Sequence, residues 1–180
     1  MVPVKDILIS LTGGIPSKET WHDIITVYRL PKAITAMLAG SGLAISGLLM
    51  QTLFRNPLAG PYVLGISSGA SLGVATYILG GTILGFTVAG SFGRWGLILA
   101  ASVGSFTVLL MVLAAAKRVR DTMTLLIIGL MVGSLTAAVV SVLAYFSKAE
   151  ELQQYIFWSY GSLGDLSWPE VYILIGCSLG

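Results

Sequence analysis

The sequence predicts an all-α, polytopic helical membrane protein with about four full transmembrane helices and the start of a fifth. Three observations carry that prediction. Hydrophobic residues make up 56% of the chain and charged residues only 10%, whereas a soluble domain carries about 25% charged residues. Charge-free stretches run from Ala33 to Phe54, Asn56 to Gly93, Trp95 to Ala116 and Thr122 to Ser147, each reaching the ~20 residues that cross a bilayer core. Small residues recur at spacings of four, as in Gly65, Gly69 and Gly73 and again in Gly129, Gly133 and Ala137. In lipid, that spacing forms a smooth groove where another helix backbone can approach closely.

Taken in order, residues 1–29 mix polar and apolar types without a signal-peptide h-region, and they read as an external segment before the first span. The first span covers about 31–54, with Pro31 suited to an opening helical turn. Asn56 and Pro57 mark a turn. A second span, about 61–79, ends before Gly80-Gly81. Residues 80–94 are glycine-rich and too short to cross again, so they read as an outer loop or a shallow re-entrant piece. The third and fourth spans cover about 95–116 and 123–146. An external polar and aromatic segment, 147–169, follows, and 170–180 begins an incomplete fifth span.

Lys117, Arg118 and Arg120 crowd the short loop between spans three and four, which makes that loop cytoplasmic by the positive-inside rule. Counting back places Arg55 inside and the residues before Pro31 outside. Six bases then lie outside (Lys5, Lys18, Arg29, Lys32, Arg94, Lys148) against the rule, and the tight cluster is given the greater weight. An external N-terminal segment needs a preceding span, so a further helix is expected upstream of Met1.

Several function classes drop out. A net charge of +2 from ten scattered bases is no nucleic-acid footprint. Cys177 is alone, and no internal disulfide can form. His22 has only Glu19 and Asp23 nearby, which is sparse for a metal site of three or four ligands. The run GISSGASLG lacks the Gly-Lys-Ser/Thr ending of a phosphate loop, which argues against ATP binding. The four complete spans hold no His, Asp or Glu, groups that usually mark intramembrane chemistry. No catalytic constellation and no cofactor site is predicted.

Residues 29–73, RLPKAITAMLAGSGLAISGLLMQTLFRNPLAGPYVLGISSGASLG, resemble the signature of the iron-complex and cobalamin permease family. These are membrane subunits of ABC importers served by a substrate-binding protein. The resemblance implies that residues 30–180 form a permease transmembrane region carrying an iron-siderophore or a related chelate (haem, cobalamin). It implies separate ATPase subunits, a second permease copy, membrane lipid around the spans, and a bacterial or archaeal cytoplasmic (inner) membrane. It implies no enzymatic activity in this chain. Family chains are roughly twice this length, so a piece lacking the first helix and the C-terminal half is expected. Two other readings stay open: a small stand-alone channel, and a truncated permease that only modulates a full-length partner.

Candidate site residues follow. Arg29 and Lys32 stand three apart at the outer mouth of the first span. Such long bases can simply snorkel to headgroups; the resemblance instead implies docking of acidic groups on the binding protein, where complementary charge steers encounter. Asn56 and Leu58 sit in a tight turn with backbone reasons of its own, and the resemblance makes them a cytoplasmic gate, with Thr122 in a second constriction. Many relatives carry an acid where Gly60 stands. Gly65, Gly69, Gly73, Gly129 and Gly133 are read as helix-packing positions, joined in the first span by Ala36 with Gly40 and Gly42 with Ser46. Ser67, Ser68 and Ser71 lie beside the same face, either lining a polar path or bonding back to their helix. The aromatics of Gln154 to Trp168 read as an interfacial belt.

Overall fold

The structure, a computed structural model, describes residues 2–14, 16–81, 93–119, 121–164 and 166–179, and among these there is no strand. The expectation for residues 80–94 falls mostly outside the described residues. Eight α-helices are described: α1 (Val4–Leu11), α2 (Glu19–Asp23), α3 (Leu30–Phe54), α4 (Ile66–Ile78), α5 (Gly93–Ala116), α6 (Thr122–Phe146), α7 (Ala149–Tyr160) and α8 (Trp168–Leu179). The stretches Glu19–Phe54, Trp95–Ala116 and Thr122–Phe146 are long and apolar enough to cross a membrane. The chain forms two compact units, Met1–Ile45 with Ser162–Gly180, and Ser46–Gly161.

In the first unit the chain is helical without a break from Glu19 to Ile45, α2 passing through a π-helix (Ile24–Arg29) into α3. Pro31 therefore does not open the helix as the sequence suggested; it lies within it. A proline ring inside an α-helix clashes with the carbonyl four residues back and removes a donor. The wider π-turn just before Pro31 accommodates both defects.

α1 is tied to the start of α2 through one carboxylate. Asp6 is only 4% exposed, and its Oδ1 accepts the Ser17 backbone N–H at 2.9 Å and the Ser17 hydroxyl at 2.8 Å. The Ser17 backbone bond first, then its hydroxyl, hold the carboxyl below its ordinary 3.8; burial opposes them and the Lys5 charge assists. Because the folded value is depressed, this tie is fully present above the unfolded carboxylate range of about 4 and is lost as pH falls through the lower folded value. The protection of residues 12–14, 17 and 18 against hydrogen exchange, measured relative to the intrinsic rate at each pH, should therefore fall in acid. Asp6→Asn should flatten that dependence, and an unchanged profile in the variant would show that another group controls it.

The second unit is built around α4. Gly69, Val74 and Ala75 of α4, and Leu79 just after it, are buried, so part of this short helix is covered by its neighbours. The expected single span over 61–79 is divided: a 3-10 turn (Pro61–Leu64) leads to Gly65, whose φ of 73° breaks the chain before α4. Thirteen residues give α4 a length of only about 20 Å. Irregular backbone of this kind is tolerated at membrane depth where protein buries it, and Leu64 and Gly65 are both buried.

Close crossings explain the glycines. A Cβ on Gly69 would lie 2.6 Å from the Gly104 carbonyl oxygen, and one on Gly73 would collide with the Ala100 carbonyl oxygen. A Cβ on Gly129 would lie 2.5 Å from the Val63 oxygen, and one on Gly65 would lie 2.9 Å from the Gly129 oxygen. Gly133 differs, since its nearest neighbour would be the Ser68 hydroxyl at 3.4 Å. Gly40 and Gly42 meet nothing within 4 Å. Gly40 and Gly42 thus mark no close crossing among the described residues, because the pattern marks a capacity to pack and not a partner.

The core of this unit is Phe54, Ala59, Leu64, Val108 and Val112, with Met50, Ile66, Leu125, Leu126 and Val132 packed around it. It brings together the end of α3, the 3-10 turn, the C-terminal half of α5 and the start of α6.

Candidate functional site

Arg29 closes the π-helix and Lys32 stands in the first turn of α3. Both side chains are exposed. Positions three apart on a helix are near neighbours, so the two charges share one region of the first unit. The Lys32 Nζ lies 3.9 Å from where a Cβ on Gly164 would sit, so the loop before α8 flanks it.

The loop after α3 is shaped by its backbone. Arg55 adopts a left-handed φ of 48°. The Asn56 N–H then donates to the Gln51 carbonyl and the Arg55 N–H to the Thr52 carbonyl, the paired bonds that close a helix C-terminus. Asn56 Oδ1 accepts the Leu58 N–H at 2.9 Å, and the Ala59 N–H returns to the Asn56 carbonyl at 3.1 Å. Asn56 therefore braces the turn. Ala59 is buried in the core while Leu58, one residue earlier, is 85% exposed, an apolar side chain held out at the loop tip.

Thr122 is the first residue of α6 and is exposed. Asp121 caps that helix, its Oδ2 accepting both the Thr124 N–H and the Thr124 hydroxyl at 3.2 Å. Because Phe54 and Ala59 share the core with Val112, Leu125 and Leu126, the Asn56–Leu58 loop and the Thr122 loop lie at one end of the second unit. Arg55, Lys117 and Arg118 are exposed in those same loops.

A cavity of about 420 Å³ opens between α4, α6 and α7, lined by Ser67, Ser68, Ser71, Ser141 and Tyr155 with Ala137 and Val140. Ser71 does not bond back to its own helix: it lines this cavity, and its hydroxyl pairs with the Tyr155 hydroxyl, joining α4 to α7. Tyr155 belongs to the aromatic stretch read as an interfacial belt, and its ring stacks on Trp158 with centroids 6.3 Å apart. The hydroxyl partner leaves no trace in spacing, because Ser71 and Tyr155 are 84 residues apart. Gly104 was also absent from the predicted packing set, although Ala100 and Gly104 show the same spacing of four. Among the described residues no group of three metal-ligating side chains exists, and His22 Nδ1 is enclosed without a partner.

Comparison with known proteins decides the family. The FecCD transport family model matches residues 1–180. The chain belongs to the FecCD transport family. Among similar FecCD-like sequences, the vitamin B12 import system permease protein BtuC of Escherichia coli O6:H1 is 35% identical over 147 residues, covering 82% of this chain and 43% of that protein. BtuC of Klebsiella pneumoniae is 35% identical over 177 residues, covering 94% of this chain and 51% of that protein. A solved structure described as a metal-chelate type ABC transporter in an inward-facing conformation matches with a TM-score of 0.78 and 30% identity, over 98% of this chain and 56% of that one. The chain thus spans about half the length of the curated relatives it matches.

Proposed function

We propose that this FecCD chain forms part of the membrane-spanning permease subunit of a binding-protein-dependent ABC importer for a metal chelate, with an iron-siderophore as the first candidate and haem or cobalamin as related ones. The observation that carries the reading is the family match over the whole chain together with the fold shared with a metal-chelate type transporter. ATP is hydrolysed on separate subunits, a second permease copy completes the path, and the chain itself makes and breaks no bonds. It resides in a bacterial inner membrane, in line with the Escherichia coli and Klebsiella relatives. The end of the second unit that carries Arg55, Lys117 and Arg118 faces the cytoplasm, and Arg29 and Lys32 face the binding protein.

The deciding experiment is uptake by proteoliposomes holding the permease that carries this sequence with its ATPase subunits. Uptake of chelate should require both ATP and the binding protein. Flux that persists without either would reject import and favour a stand-alone channel.

At the cytoplasmic end, Leu58 is the gate element and Asn56 its brace; Thr122 belongs to the opposing loop. Replacing Asn56 and Leu58 together with alanine removes both the exposed apolar tip and the bond that orients it. Passive leak of chelate from resting vesicles should rise severalfold. A leak equal to that of the unaltered protein would remove these residues from the gate.

A further inference from the structure

The helical run that leads to Arg29 passes over one of its own carbonyls. In the π-segment the Leu30 N–H donates to the Ile25 carbonyl, five residues back; in an α-helix it would have reached Thr26. The π register assigns the Thr26 carbonyl to residue 31 instead. That residue is Pro31, which has no N–H. The carbonyl is nevertheless satisfied, because the Trp168 indole Nε1–H donates to it at 3.0 Å from 142 residues away.

Trp168 arrives with a fixed direction. It opens α8, and the residue before it forms a cap: the Ser167 N–H and hydroxyl both donate to Glu170 Oε2, at 2.7 and 2.8 Å. Its ring packs against Tyr172 with centroids 5.8 Å apart, and the neighbouring Val171 is fully buried. The loop that leads into this cap is the one that flanks Lys32 at Gly164.

The geometry points to Trp168 as a positioning residue for the Arg29–Lys32 docking pair. One extra residue in a helical turn rotates everything after it by about 100° around the axis. The π-turn therefore sets where the two bases point relative to α2. Without the indole the Thr26 carbonyl loses its protein donor, and a return to α register lets the Leu30 N–H reach it instead, passing the missing donor of Pro31 on to the Val27 carbonyl. That repair rotates the pair away from its partner. Trp168 thus holds the π-turn and, through it, the presentation of two positive charges to an acidic protein surface. The inference rests on the docking reading of Arg29 and Lys32.

The test uses the permease that carries this sequence, reconstituted in nanodiscs, with capture of its binding protein measured across salt. Trp168→Phe keeps an aromatic ring and removes the N–H. Capture should weaken by about tenfold, and hydrogen exchange of residues 24–32 should change. In an Arg29→Ala, Lys32→Ala background the Phe variant should cause no further loss. In a Pro31→Ala background, which returns a donor for the Thr26 carbonyl, it should also cause none. Unchanged capture in Trp168→Phe, or an equal loss in the double-alanine background, would overturn the inference and reduce Trp168 to a packing residue. If the double-alanine protein itself captures normally, docking at these bases is wrong and the inference falls with it; if it fails to capture while Trp168→Phe is silent, docking stands alone. Should Trp168→Phe not fold, recovery of folding by Pro31→Ala supports the carbonyl argument and continued failure overturns it.

Discussion

Replacing Gly73 or Gly104 with alanine is expected to destabilise the chain by at least the upper part of the about 1–3 kcal/mol seen for overpacked cores, and leucine at either position should abolish folding. The reason is what each Cβ would strike. At Gly73 it is the Ala100 carbonyl oxygen and at Gly104 the Gly69 carbonyl oxygen. A side chain can rotate away from an intruding methyl; a helix backbone can move only if the whole α4–α5 crossing opens. That crossing lies next to the core of the second unit through Val108, which a Cβ on Gly69 would also touch. Thermal unfolding in detergent, followed by retention of the monodisperse peak, measures the effect. Gly40→Ala is the control, with nothing within 4 Å of the new methyl and an expected change within about 0.5 kcal/mol. Gly129→Ala should behave like Gly73→Ala, and Gly133→Ala like the control. Equal melting of Gly73→Ala and Gly40→Ala would mean that the α4–α5 contact is looser than described.

Reversing both charges proposed to dock the binding protein, Arg29→Glu with Lys32→Glu, should abolish its useful capture while leaving membrane insertion intact. Both side chains are exposed, so reversal changes surface charge and disturbs no buried packing. Facing an acidic partner, two reversed charges replace attraction with repulsion, which costs several kcal/mol. A loss of about 2–4 kcal/mol corresponds to roughly 30- to 1,000-fold in affinity. The effect should be largest at low salt and shrink as the screening length falls. Restoring capture with a binding protein whose facing acids are changed to bases would assign the contact directly. Undiminished capture by the doubly reversed chain would return both bases to membrane anchoring.

The candidate residues differ in how far the chain announces them. Arg29 and Lys32 are visible in the sequence as bases beside a long apolar run, a pattern that headgroup anchoring alone would explain; their docking reading comes from the family resemblance. The Asn56 turn is legible in outline, since asparagine followed by proline favours a turn, yet the sequence does not divide the work between a bracing Asn56 and an exposed Leu58. Gly65, Gly69, Gly73, Gly129 and Gly133 look alike in spacing. Their environments separate them, because a glycine is required only where another backbone comes within reach of its missing Cβ.

By itself the sequence determined that the chain is helical and apolar enough for a membrane, and to which family its motif belongs. Those properties are local: charge-free length, proline and asparagine turns, and a dense ordered signature each lie within a few tens of residues. Tertiary structure alone decided that Pro31 is housed inside a helix by a π-turn, and that Gly65 divides the second span. It also decided that Gly104 is the partner of Gly69, that the Ser71 and Tyr155 hydroxyls pair, and that the Trp168 indole donates the hydrogen bond the Thr26 carbonyl receives. Each of these depends on a polar group or a backbone finding its complement far along the chain. Periodicity reports which face a residue occupies, and only the packed chain reports what stands opposite.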